Sequence, residues 1–278
     1  MRKIAALAVA LLLPFVSATA GEARPYELPR TEVVPIEDSN TGRQYELYIK
    51  LPDGYSENTD VKYPVIYTGD AVWHMDMLSG ATEYLMSDVI LVGISWQKNP
   101  ETRVAHASRF RDYSLLKSTN PDNPRGEADG HLSFIRNDVI KFVESSYRAD
   151  PAERVYFGYS LGVQLGAYIL LTKPDTFKHY ILGSPAFGAE SLNYIDELEA
   201  STASRQNHLD ANVFVSLGEL ETSAMGTVNE LVSVLQRRSQ AGLRLTGLEI
   251  IENSDHGTAF PETVIRSIKW LAALRSKN

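Results

Sequence analysis

The feature that most constrains this 278-residue chain is the run Gly158-Tyr159-Ser160-Leu161-Gly162. It is a G-x-S-x-G pattern, and its flanks give it a structural meaning. Residues 154–157 form a short β-rich run just before it. Residues 163–171, just after it, are almost wholly apolar and read as a helix that Pro174 brings to a stop. Strand and helix backbones joined by so tight a turn cross too closely for side chains, hence the glycines. Such a turn lifts the serine hydroxyl above the edge of a sheet. The same pattern also arises by chance, as a glycine-rich helix start with a capping serine. It acquires chemical weight only if the rest of the chain supplies partners for Ser160.

Residues 1–20 have the composition of a secretory leader. Arg2 and Lys3 form a basic start, residues 4–16 are apolar apart from Pro14, and Ala18-Thr19-Ala20 is a small-x-small cleavage site. An uncleaved membrane anchor is the alternative, but the stretch is short for a span and carries a proline. Cleavage after Ala20 leaves a chain suited to one large α/β domain, residues 21–278. The product is expected to be periplasmic or secreted and to have no stable membrane span. There is no cysteine, so neither disulfides nor a thiolate nucleophile or metal site is available. No metal and no cofactor is expected. The chain has 27 basic and 35 acidic residues and a formal charge of −8. No basic cluster marks a nucleic-acid footprint, and the acidic balance points to solubility rather than to a partner. The small-molecule substrate expected rests on the candidate site residues instead.

Residues 21–32 read as a loose arm. Residues 45–50 alternate apolar and polar and end at the turn signal Pro52-Asp53-Gly54, as an antiparallel strand with one wet face does. Residues 63–67 and 89–95 are continuous apolar runs, the pattern of strands covered on both sides. Residues 97–130 are polar and too long for a simple connector, so they form a surface excursion or line the site. Helices are expected over 132–143, 191–204, 228–238 and 262–274, and strands over 180–182, 213–217 and 245–251. Within 186–208 the helix is a candidate for a small cap. Alternating strands and helices imply a mostly parallel central sheet with helices on both faces. Active residues of such sheets collect beyond the strands' C-terminal ends.

Three loops meet that criterion. A serine hydroxyl needs a neighbouring base, and of six histidines His256 fits best. It lies in a turn after the 245–251 strand and follows the serine in the chain. His131 and His179 flank regular elements on the wrong side, and His106 and His208 read as loop polars. The acid that orients the base should follow the 213–217 strand, where Glu219 and Glu221 compete. Glu221 is favoured and Glu219 stays open. Asp255 is too close to His256 on an extended loop, and Asp210 lies at the wrong end of its strand. An oxyanion hole needs two backbone N–H groups. One is expected from Leu161, the other from Ala71 or its neighbour Val72, in the loop after 63–67. Trp73, His74, Tyr159 and Arg109 are candidates for contact with substrate.

The chain resembles the "putative esterase" branch of the α/β-hydrolases, which contains esterase-D-like enzymes, siderophore esterases, feruloyl and acetyl esterases and mycolyltransferases. The resemblance rests on residues 63–70, on Arg109-Phe110-Arg111-Asp112-Tyr113, on 134–147, on 157–162 and on 180–185. It implies the α/β-hydrolase fold, Ser160 as nucleophile and His256 as base. It favours Glu221, because the family acid often sits three residues beyond the glycine that ends this strand, here Gly218. The chain departs from the family pattern at Ala71 and at Val163, where glycine is usual. The activity implied is that of an exported serine esterase working through an acyl-enzyme on a siderophore lactone or another small ester. Arg103, Arg109 and Arg111 are then candidates for an anionic substrate, although Arg111 and Asp112 also suit a structural ion pair. Acyl transfer to a sugar or lipid acceptor uses the same residues, and a non-catalytic binding module on the same scaffold is the remaining alternative.

Overall fold

The computed structural model describes residues 26–100, 106–120, 122–205 and 208–276. The leader expected at 1–20, the start of the N-terminal arm and Arg103 lie outside the described residues. Along Tyr63–Thr68 (β3), side chains alternate between two cores: Val65 and Tyr67 enter one, Ile66 the other. In Ala149–Tyr159 (β5), Val155 and Phe157 face the core that holds Ile66, and Tyr156 faces the opposite one. Apolar side chains are thus needed at every position, and these strands read as unbroken apolar runs rather than alternating ones. Each fully buried Leu, Ile or Phe contributes about 1.5–3 kcal/mol.

The remaining strands are β1 (Thr31–Glu37), β2 (Gln44–Lys50), β4 (Ile90–Ile94), β6 (His179–Gly183), β7 (Asn212–Gly218) and β8 (Arg244–Ile251). All eight form one sheet in the order β1-β2-β4-β3-β5-β6-β7-β8. β1 and β2 pair antiparallel, and β2 joins β4 antiparallel. From β4 through β8 every pairing is parallel. The C-terminal ends of six strands therefore share one edge.

One face is covered by α1 (Ala71–Leu85) and α8 (Ala259–Arg275), which pack on each other. The other is covered by α3 (Ala128–Phe134) and α4 (Ile140–Ser146), joined through a π turn, and by α5 (Gly162–Thr172), α6 (Ala189–Ala203) and α7 (Met225–Gln236). The segment 186–208 contributes α6, the crossover helix between β6 and β7. It buries Leu192 and Ile195 and packs on α5 and α7. No helix of the described residues is long and apolar enough to cross a membrane.

One expectation needs correction, and one gains detail. The arm expected over 21–32 ends early, because Thr31 already opens β1. That strand carries Pro35 and mostly exposed side chains, so its sequence lacks a strand's apolar signal; such a strand is tolerated only at a sheet edge. The polar excursion at 97–130 contains a short helix, α2 (Ala107–Tyr113), whose Arg109, Arg111 and Asp112 are buried.

Candidate active site

Ser160 follows β5 and has a backbone φ of 56°, in the left-handed region that a residue with a side chain occupies at a cost. The turn is locked by its neighbours. Ser160 N–H donates to Gly183 O at 2.9 Å, and Val163 N–H donates back to Ser160 O at 3.1 Å. Tyr156 Oη donates to Gly162 O at 2.7 Å. A Cβ at position 158 would sit 2.7 Å from Gly162 O, so β5 and α5 meet only because that residue is glycine. α5 starts at Gly162 with Leu161 as its N-cap residue, and the first N–H groups of a helix have no intrahelical acceptors.

Glu221 lies beyond β7, at the opening of the loop that leads to α7. Its Oε2 is 2.6 Å from His256 Nδ1, and its Oε1 accepts from Ser184 Oγ at 2.7 Å and from Gly218 N–H at 2.9 Å. A carboxylate only accepts, so the His256 ring presents Nδ1–H to it and turns Nε2 outward. Glu221 is nearly buried, with 9% of its side chain exposed, whereas half of the His256 side chain is open to solvent. The crossing of the two loops is tight. A Cβ on Gly218 would lie 2.4 Å from Ser254 O.

Glu219 takes a different role. Its Oε2 accepts from Asn253 N–H at 2.7 Å and holds the loop before His256. Asp255 Oδ1 accepts from Gly257 N–H at 3.0 Å, Thr258 N–H at 2.9 Å and Thr258 Oγ1 at 2.8 Å. These backbone and hydroxyl bonds hold its carboxyl below the usual range and shape the turn that carries the histidine. Tyr159 completes the frame. Its hydroxyl donates to His256 O at 2.6 Å, and its ring lies 5.3 Å from the imidazole and 5.0 Å from Phe260. Tyr159 is therefore buried beneath His256 rather than open to solvent, and burial pushes its phenol up. Among the described residues the site's hydrogen bonds run through Glu221 and His256, not through Ser160 Oγ; in ligand-free active sites such bonds are often long and tighten when substrate binds.

On the other side of Ser160, Asp70 occupies a left-handed conformation (φ 50°, ψ 39°) and α1 begins at Ala71. Ala71 thus offers an N–H without an intrahelical acceptor at the sheet edge. The helical phase decides what its neighbours do. Val72 and Trp73 point to solvent, at 53% and 48% exposed. His74 turns inward: its Nδ1 lies 2.9 Å from Thr68 Oγ1, and its ring stacks on Phe260 at 5.0 Å. Burial lowers its pKa to about 4. His74 is thus a core residue, not a substrate contact. Arg109 also departs from expectation. It is buried and forks onto Asp70, with Nε–Oδ1 at 2.9 Å and Nη2–Oδ2 at 2.8 Å, so its charge is already matched. Arg111 pairs with Asp112 at 2.7 Å. Trp96 Nε1 donates to Asp70 Oδ1 at 2.7 Å, and Tyr113 Oη contacts Asp70 N–H at 3.1 Å. Ser184 and Trp96 are the site-forming residues that the sequence reading missed; each stands one to two residues past a strand end, the only signal that pointed to them.

A sheet in this order, parallel from its third member and bearing a strained serine turn after β5, is the α/β-hydrolase fold. Within that class the chain belongs to the family described as "Putative esterase", whose model matches residues 39–247. The ferri-bacillibactin esterase BesA of Bacillus subtilis is 27% identical over 274 residues, covering 90% of this chain and 92% of the relative. The siderophore triacetylfusarinine C esterase of Aspergillus fumigatus is 24% identical, covering 80% and 78%. Among solved structures, the BES protein from Bacillus cereus superposes with a TM-score of 0.78 at 21% identity, covering 91% of this chain and 98% of that one.

Proposed function

We propose that this chain is an exported serine esterase in which Ser160 is the nucleophile, His256 the base and Glu221 the acid that orients it. The observation that carries the reading is the 2.6 Å contact between Glu221 and His256 Nδ1, at the same sheet edge as a serine held at positive φ. Ser160 Oγ attacks the ester carbonyl while its proton passes to His256 Nε2. The tetrahedral oxyanion is held by the N–H groups of Leu161 and Ala71. The carbon–oxygen bond to the alcohol breaks, and His256 returns the proton to the departing oxygen. Water then repeats the sequence in reverse on the acyl-enzyme, releasing the acid and Ser160. Every proton and electron pair moves among Ser160, His256, ester and water, so no cofactor takes part.

The substrate class follows from the relatives: two esterases of siderophores suggest a siderophore lactone or a related small ester. Residues 1–20 direct export and are removed after Ala20. The decisive experiment compares the wild type with Ser160→Ala on 4-nitrophenyl acetate and with a fluorophosphonate probe. Loss of both hydrolysis and labelling is expected. A Ser160→Ala protein that still cleaves the ester sinks the reading. Mass spectrometry of the exported protein tests whether its first residue is Gly21.

A further inference from the structure

Large apolar side chains are exposed at few places among the described residues, and three of them lie at the sheet edge that carries Ser160: Val72 and Trp73 on the first turn of α1, and Leu220 on the loop after β7. Trp73 is the largest, and it does not stand alone. Its ring meets Trp96 edge-on at 4.7 Å and His106 at 5.7 Å, and Trp96 meets His106 at 5.7 Å. The Arg109 guanidinium lies 5.2 Å from the Trp73 ring. Trp96 is in turn fixed through its indole N–H on Asp70 Oδ1, the oxygen that Arg109 Nε also bonds while its Nη2 takes Oδ2. The three rings form a shelf whose back is anchored by a buried ion pair and whose front, Trp73, is half open to solvent.

The shelf stands at the same sheet edge as the nucleophile. Trp73 follows the C-terminal end of β3 and Trp96 that of β4, and Ser160 follows β5. Thr68 is in register with both Gly93 and Phe157, so the three strand ends are level. Adjacent strands are spaced by about 4.8 Å, which puts the shelf roughly 5–10 Å to one side of Ser160. His256 and Glu221 lie on the other flank, beyond β8 and β7.

That sidedness selects which half of an ester meets the rings. The departing alcohol oxygen must face His256 to receive its proton, so the alcohol lies on the β8 flank. The oxyanion points to the N–H groups of Leu161 and Ala71. The acyl group is the substituent that meets neither His256 nor these N–H groups, and the open aromatic surface for it stands beside Ala71, on the flank of β3 and β4. A rigid face of aromatic rings favours a flat aromatic partner over a flexible aliphatic one. We propose that Trp73, Trp96 and His106 form the acyl subsite and that it takes an aryl group. The assignment rests on the esterase reading above and goes beyond it by naming the side and the chemistry of the bound group.

The test uses paired esters. 4-Nitrophenyl benzoate and 4-nitrophenyl acetate differ only in the acyl group; 2-naphthyl acetate and ethyl acetate differ only in the alcohol. Trp73→Ala is expected to lower the benzoate-to-acetate ratio of kcat/KM by about five- to tenfold, and Trp73→Phe to restore most of it. An unchanged ratio overturns the proposal, as does a drop confined to the naphthyl-to-ethyl ratio. A second measurement is independent of turnover. In Ser160→Ala protein, 2-naphthoate is expected to shift the indole N–H resonances of Trp73 and Trp96 and to leave that of Trp270, on α8, in place. No shift at Trp73 overturns the subsite. Failure of the esterase reading itself has a different signature, hydrolysis that persists without Ser160.

Discussion

The substitution Glu221→Gln keeps the volume of the side chain and removes its charge and one of its two acceptor oxygens. The structure fixes what that does. Three donors converge on the carboxylate: His256 Nδ1 on Oε2, and Ser184 Oγ and Gly218 N–H on Oε1. If the amide oxygen stays with Ser184 and Gly218, the NH2 group faces Nδ1 and favours the imidazole with its proton on Nε2, which cannot accept from Ser160. If the amide flips, Gly218 N–H faces another donor. The lost attraction between carboxylate and imidazolium is about 4 kcal/mol for charges 4 Å apart at an effective dielectric of 20. The exposed half of His256 reduces it, leaving about 10²–10³ in rate. The wrong tautomer carries the loss to the order of 10³–10⁴ in kcat, with KM changed by no more than about threefold. Glu219→Gln, whose carboxylate only holds Asn253 N–H, should cost less than about fivefold. Both are measured on 4-nitrophenyl acetate, with thermal unfolding as a check on folding. Activity of Glu221→Gln above about a tenth of wild type, or a larger loss in Glu219→Gln, refutes the assignment.

Gly158→Ala puts a Cβ 2.7 Å from Gly162 O and from the Tyr156 ring, so it should cost about 1–3 kcal/mol, lower the melting temperature and reduce fluorophosphonate labelling of Ser160. Arg109→Ala leaves the buried Asp70 carboxylate unpaired and should destabilise by about 3–5 kcal/mol in urea unfolding, with Arg109→Lys recovering only part because it cannot fork. His74 is buried neutral, its pKa lowered to about 4 from an ordinary 6.5. Between those values the unfolded chain binds the proton and the folded one does not. Its contribution is thus complete above pH 6.5 and is lost as pH falls towards 4, by on the order of 3 kcal/mol. His74→Gln should therefore lose less stability than wild type between pH 7 and pH 4.5; parallel loss in the two proteins counts against the buried neutral histidine.

The parallel core is legible in the sequence because strands such as Tyr63–Thr68 and Ile90–Ile94 must be apolar at every position, which no exposed segment tolerates. The serine turn is legible because its glycines answer a local steric demand. β1 is not, since an edge strand with Pro35 and a wet surface has no pattern that separates it from a loop. Side-chain direction is harder still. Whether Trp73 or His74 faces solvent depends on α1 starting at Ala71, a one-residue matter of helical phase. The partner of Arg109 depends on Asp70, distant in sequence and brought near only by the sheet. Glu221 and Glu219 both follow the same strand; the crossing of their loop with that of Ser254 separates their roles.

Ser160, Ser184, Glu221 and His256 follow β5, β6, β7 and β8, strands that are consecutive in the chain and adjacent in the sheet. Synthesis therefore delivers the parts in the order in which they are laid side by side. The serine turn finds its acceptor at Gly183 once β6 is placed, the carboxylate arrives with β7, and the imidazole comes last, with β8. A chain still emerging from a ribosome, before β8 is placed, holds Ser160 without His256. With the proposed triad, turnover waits until the final strand closes the edge.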